Sequence, residues 1–275
     1  MQRPTEAIKS WLFRSEHLTR WLRVLRVLWH HRQSAPHEAD FYFLQSPAFA
    51  NGLLLDLGAN IGQSALSVAK VQPGLSTLSI EANPACEPGL RMTQRLLGGR
   101  FAYRLVGVGR QAGQMTFHVP MRASRMLLEE GTFDATSLES EAARRRLGRR
   151  GVDYELTHME VPVVTVDSMA VSPVVVKMDL QGLELAALEG MVDTLTRCRP
   201  ALLIENGDRH ADVTALLGSM GYVAHHWAGH QLVPGERAGG LNTVFLANTV
   251  SPSLHPTDDF MAQRASQAQA DRESL

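Results

Sequence analysis

The sequence is poor in cysteine: Cys86 and Cys198 are the only two, far apart and outside any CxxC or Cys/His spacing. That excludes a disulfide scaffold and a cysteine-ligated zinc site, and reads as two free thiols in a reducing cytoplasm. Excess charge is also missing, with Lys and Arg at 27, Asp and Glu at 28, and a net charge of -1. Such a balance argues against a general nucleic-acid binder. No uncharged apolar run reaches about 18 residues, so no bilayer span is expected. Near the N-terminus Arg14, Arg20, Arg23 and Arg26 interrupt every apolar stretch, which removes the hydrophobic core a secretory leader needs. What is present is 44% hydrophobic content over 275 residues, enough to bury a full core in one large α/β domain.

The chain is organised around residues 53–64, LLLDLGANIGQS. Three leucines running into Asp56 read as a strand buried on both faces, and the glycines with Asn60 mark a tight turn opening a helix near Ile61. Gly58 and Gly62 remove side chains where a ligand must approach backbone, and Asn60 tolerates positive φ. The helix would point its first N–H groups at whatever lies over the turn. A second apolar strand over 77–80 ends in Glu81, about twenty residues after the turn, where a carboxylate can accept both ribose hydroxyls. The spacing Asp56, Gly58, Asn60, Gly62 resembles the DxGxGxG pattern of class I S-adenosylmethionine (SAM) methyltransferases. A nicotinamide fingerprint has the form GxGxxG without an acid at this junction.

Upstream, residues 5–32 carry Ile8, Trp11, Leu12, Leu18, Trp21, Leu22, Leu25, Leu28 and Trp29 at helical spacing, with basic residues between. A basic helix with an aromatic face suits an interfacial membrane anchor. Packing on its own domain or on a second subunit is the commoner use. Residues 36–51 form a connector with a short helix opened by His37 and Glu38, an acid suited to capping a first turn; reach to the mouth of a cofactor site is the alternative.

Downstream of the turn, a helix over 61–70, the strand 77–81, a helix over 85–97 and a strand over 102–108 alternate in the order that demands a parallel sheet with helices on both faces. Residues 114–119 and 160–166 alternate polar and apolar and read as an added antiparallel pair. Between them the long segment 120–157 is expected to be a lid or acceptor loop. Its run Arg144, Arg145, Arg146, Arg149 and Arg150 faces either an acidic substrate or solvent. Strand 174–178 delivers Asp179 to the carboxyl edge, a helix follows with Glu184 in its first turn, and strand 201–204 delivers Glu205. A helix to Met220 and strands 222–227 and 242–247 complete seven central strands. The expected division is a basic helix at 1–36, a catalytic domain at 37–250 with an insertion near 120–158, and a polar tail at 251–275.

Taken together, DLGANIGQS, SIEANP, VGVG, GQMTFHV, VPVVTVDSM, VVVKMDLQGLELAALEGM and RPALLIEN resemble, in order over residues 37–248, the FkbM family of SAM-dependent methyltransferases. The resemblance implies a Rossmann-like fold with its last strand antiparallel between the fifth and sixth, SAM as cofactor, and an acceptor hydroxyl on a sugar, glycolipid or natural product. The family's KxDxEG element stands here as Lys177, Asp179, Gln181 and Gly182, with Gln181 where Glu is commoner.

The expected cofactor set is Asp56, Gly58, Asn60, Gly62, Ser64, Glu81, Asn83, Gly107 and Val108. Asp179 is the leading general base or hydroxyl orienter, with Lys177 holding it ionised and His210 as a second base or an ordinary loop histidine. Acceptor contacts are expected from Gln181, Glu184, Glu205 and Ser137. Asp179, Glu184 and Glu205 are also a weak set of hard ligands for magnesium, though no spacing forces a metal. The expected partners are a hydroxylated small molecule or glycan, no nucleic acid, and a membrane surface or a second copy at residues 5–32. A nicotinamide oxidoreductase and a catalytically inactive scaffold on the same fold are the competing readings.

Overall fold

A computed structural model describes residues 16–122, 125–126 and 155–248 of the chain. The expected lid with Ser137 and its arginine run, the tail and the first part of the N-terminal helix lie outside the described residues.

The centre is an eight-stranded sheet in the order β11-β10-β12-β9-β8-β1-β2-β3. Its parallel part is β1 (Gly52–Leu57), β2 (Leu75–Glu81), β3 (Phe101–Leu105), β8 (Val175–Met178) and β9 (Ala201–Glu205). β12 (Asn242–Ala247) runs antiparallel between β9 and β10 (Tyr222–Trp227). The seven expected strands are all found, with one addition: β11 (Leu232–Pro234) pairs antiparallel at the β10 edge.

Alternation along each strand sends side chains to two separate cores. Leu55, Leu57, Val176 and Met178 pack under α4 (Glu184–Glu189), α5 (Val192–Cys198) and α6 (His210–Ser219), through Ala187, Leu188, Leu195, Val213 and Leu217. Leu54, Val175 and Leu203 face the other way, onto Val68 and Val71 of α2 (Gln63–Val71) and onto Phe41, Phe43 and Leu44. This second side holds the functional residues.

Four details depart from the sequence reading. α2 starts at Gln63, after Gly62 has turned the chain with φ 94. The 36–51 connector is 3-10 rather than α-helical, over Ala39–Gln45 and Pro47–Phe49, and Glu38 makes no side-chain cap there. The expected strand 102–108 breaks in two, because β4 (Gly107–Val108) leaves the main sheet to pair with β7 (Glu155–Val164). β4, β7, β5 (Gly113–Arg122) and β6 (Arg125–Met126) then form a second sheet of four strands where a pair was expected.

The N-terminal helix α1 (Glu16–Arg32) lies against α2 and α3 (Glu87–Leu97), with Val27 buried beside Ile61 and Leu66. Packing on its own domain is therefore found for one side of it. Among the described residues no helix is long and apolar enough to cross a membrane.

Candidate functional site

Register aligns a polar row across the middle of the sheet. Asp56 is paired with Ser79 of β2 on one side and with Lys177 of β8 on the other. Lys177 in turn is paired with Leu203 of β9. Residues two further along each strand project to the same face, so Glu81, Gly58, Asp179 and Glu205 come together at the carboxyl edge. In open α/β sheets this edge is where ligands bind.

The turn after β1 is packed against protein: the places that side chains on Gly58 and Gly62 would take are filled by the Asp179 backbone and the Thr93 side chain, so these glycines serve loop packing where ligand approach was expected. Gly58 (φ 84) and Gly62 (φ 94) take left-handed backbone, and Asn60 joins them at φ 51. A Cβ on Gly58 would sit 1.7 Å from the carbonyl oxygen of Asp179 and 3.6 Å from Cδ2 of Leu180, so only glycine fits and the two loops meet backbone to backbone. Glu81 closes the turn from the side: its Oε2 accepts the Asn60 N–H at 2.6 Å and its Oε1 the Asn83 N–H at 2.8 Å. Each oxygen keeps a lone-pair direction for a further donor. Burial lifts the Glu81 carboxyl to about 7, against the pull of those two N–H groups. Asn83 is fully buried. Its Oδ1 accepts the Ala85 N–H at 3.0 Å, and its Nδ2 has no protein acceptor. A carboxylate with spare acceptor capacity and an orphaned amide N–H beside the glycine turn fit a nucleoside cofactor.

Several expected cofactor residues play supporting parts. Asp56 is 0% exposed; its Oδ2 accepts the Ser79 hydroxyl at 2.8 Å, while Oδ1 has no partner. Burial raises its carboxyl, with the Lys177 charge pulling it back. Ser64 is buried in the first turn of α2. Val108 packs into the core, and its neighbour Gly107 pairs with Val163.

The acid cluster begins where β8 ends. Lys177 donates to Asp179 Oδ2 at 3.2 Å, with side-chain exposures of 5% and 30%. Gln181 bridges the two acids, donating through Nε2 to Asp179 Oδ1 at 2.9 Å and to Glu205 Oε2 at 3.1 Å. It does so from a left-handed backbone, φ 51. Although burial opposes its charge, Lys177 is held above the ordinary lysine range by Asp179, Asp56 and Glu38. Burial pushes the Asp179 carboxyl up, and the Lys177 charge together with hydrogen bonds from Glu205, Gln181 and Lys177 more than reverses that, so it stays ionised. Glu205 goes the other way: burial and the adjacent Asp179 charge raise it, which leaves it protonated and donating to Asp179 near neutral pH.

Two of the expected participants do other work. Glu184 is 3% exposed and accepts the N–H groups of Leu180 (2.8 Å) and Gly182 (3.1 Å), so it shapes the 179–184 loop. Asp179, Glu184 and Glu205 accordingly do not form a ligand set, and no group of three metal-binding side chains occurs among the described residues. His210 has Nε2 at 3.2 Å from Glu236 and 3.4 Å from the Thr243 hydroxyl. Neither contact brings it to Asp179.

Residues outside the expected set complete the cluster. Glu38, with His37 Nε2 at 3.4 Å, lies close enough to Lys177 for each to favour the charge of the other. Asn242 donates to Glu38 at 3.0 Å and to Asp40 at 2.8 Å. Its pairing opposite Glu205 follows from the insertion of β12 beside β9, which is the signal that would have found it.

A model of the methyltransferase FkbM domain matches residues 56–224. The chain belongs to the FkbM methyltransferase family. Among solved structures it is similar to a methyltransferase FkbM from Methylobacillus flagellatus, at 16% identity and TM-score 0.47, over 72% of this chain and 44% of that one. The chain thus spans less than half the length of that protein. A precorrin-6y C5,15-methyltransferase from Geobacter metallireducens is similar at 10% identity and TM-score 0.35, over 70% and 76% of the two chains. TYW2 from P. horikoshii, solved in complex with MeSAdo, follows at 10% identity and TM-score 0.34, over 75% and 60%. No curated protein matches the sequence. At the carboxyl edge the Gly58 turn abuts the Asp179 loop.

Proposed function

We propose that the chain is a SAM-dependent O-methyltransferase whose acceptor is a hydroxyl on a sugar, glycolipid or natural product. The observation that supports this most directly is the contact of Gly58 with the Asp179 carbonyl, which sets the turn beside Glu81 and Asn83 against the loop that carries an ionised carboxylate. SAM, when bound, supplies a methyl group already activated on a sulfonium. What remains for the protein is alignment, which is worth several kcal/mol when both reactants are fixed, and disposal of one proton.

Asp179 does the second task. Its side chain is 30% exposed and so open to an acceptor hydroxyl, which donates a hydrogen bond to it and is thereby aimed. A depressed pKa makes Asp179 a weak base toward an alcohol. It suffices once the new C–O bond has made the hydroxyl strongly acidic, so the proton passes to Asp179 late. Protonated Glu205 and Lys177 hold the carboxylate in place meanwhile. Radiolabelled methyl transfer from SAM to a panel of glycans and hydroxylated small molecules tests the reading. Transfer only to nitrogen or carbon, or calorimetric binding of NAD in place of SAM, would overturn it.

Glu81 ties affinity to pH. Its folded value of about 7 lies above the ordinary 4.5. The neutral form therefore favours folding in acid, and that contribution is lost as pH rises through 7. Ribose hydroxyls donate only to the ionised form at full strength, so nucleoside affinity should rise between pH 6 and 8, with proton release on binding below about 7. Calorimetry in two buffers of different ionisation enthalpy reads that release. Glu81→Gln should weaken binding roughly 10- to 100-fold and flatten the pH profile, since hydrogen bonds to a charged group contribute about 1.5–3 kcal/mol.

A further inference from the structure

The α1 helix is fixed to the domain by Val27 and by polar contacts on the same side. Arg23 donates from its guanidinium to the Ala85 carbonyl, and the His30 carbonyl accepts from Lys70 Nζ at 2.6 Å. On the opposite side Trp21, Leu25 and Trp29, spaced by four residues and so on one stripe, are 65%, 56% and 58% exposed. An amphipathic helix ordinarily buries its apolar stripe against its own core. Here Val27 does so, and a second apolar stripe is left facing outward. Exposed Arg20, Arg26 and Arg32 surround it. Beside it, between α1 and α3, a groove of about 490 Å³ combines the apolar Trp21, Val24 and Met92 with Arg20, Arg95 and an Arg91 paired with Glu87 at 2.6 Å, so its net charge is positive.

We propose that this face docks on the surface of an anionic phospholipid bilayer, with both tryptophans at the boundary between headgroups and acyl chains and the arginines on lipid phosphates. Charge decides the occupant. The whole chain has a net charge of -1, yet residues 20–32 contain no acid and expose Arg20, Arg26 and Arg32, so positive charge is concentrated around the stripe. A second copy docking about a two-fold axis would set those arginines against their own counterparts. Two tryptophans and a leucine would also supply only about half of the roughly 800 Å² per partner that a stable dimer buries, and the remainder would come from the arginine rim. An anionic bilayer answers both the apolar stripe and the charge around it. This inference is independent of the methyl-transfer reading.

The full chain should float with vesicles containing phosphatidylglycerol and stay behind with phosphatidylcholine alone. The bound fraction should fall at high salt, and tryptophan emission should shift to the blue on binding. Trp21→Ala with Trp29→Ala should weaken vesicle binding at least tenfold at an unchanged melting temperature, because neither side chain packs in the core. Arg20→Glu with Arg32→Glu should do the same by charge. Failure to float with anionic vesicles, equal binding by the tryptophan variant, or a dimer in light scattering that this variant dissolves would overturn the proposal, the last in favour of a second copy.

Discussion

Asp179→Asn is expected to cut turnover about 10²- to 10⁴-fold, the usual range for losing a positioned proton acceptor, with nucleoside affinity changed no more than a few-fold. Asparagine keeps the shape and one carbonyl oxygen, so the Gln181 hydrogen bond to Oδ1 has an acceptor still. What disappears is the charge that aims the acceptor hydroxyl and receives its proton. Glu205 should respond as well: the Asp179 charge is one reason that its carboxyl is raised, so in the variant it ionises at lower pH and leaves a residual activity that increases toward alkaline pH. Single-turnover transfer of a labelled methyl group, set beside calorimetric titration of the nucleoside, separates chemistry from binding. Turnover within threefold of the unmodified protein would remove Asp179 from the reaction.

Lys177→Met should be the most damaging change to stability, by about 3–5 kcal/mol, the cost of stranding buried charge by removing one partner. The residue is 4% exposed. It is the cation facing Asp56, Asp179 and Glu38, and Asp56 already has one oxygen without a partner. Methionine fills the volume and supplies no charge. The carboxylates left behind would then take up protons to relieve the repulsion, so the variant should lose less relative to the unmodified protein at pH 5 than at pH 8. Urea unfolding at the two pH values measures both the loss and its pH dependence. An equal loss at both would mean that packing, and not charge, is what Lys177 contributes.

Much of this architecture is legible in the sequence. The parallel order of β1, β2, β8 and β9 follows from alternating strand and helix patterns, and the position of β12 from the family resemblance. Because side chains on a strand alternate with period two, Asp56 and Gly58, Lys177 and Asp179, and Glu81 and Glu205 could be assigned to one edge from their places at strand ends. What the sequence did not disclose were contacts between segments distant along the chain. Asn242 reaches Glu38 across 204 residues, and no local pattern encodes that meeting. The reading of Glu184 as an acceptor contact missed that a carboxylate can be used up by the N–H groups of its own loop. Likewise β4 left the main sheet because its partner, β7, lies some fifty residues downstream, beyond the range of any periodicity.

The meeting of Gly58 with the Asp179 carbonyl has one more implication. Backbone meets backbone there, so a ligand that displaces the main chain of the first loop should displace the second, and the donor and acceptor halves are tied through backbone position rather than through side-chain charge. Engineering a new acceptor preference by reshaping residues 179–184 should therefore alter cofactor affinity too, and the two traits would have to be selected jointly.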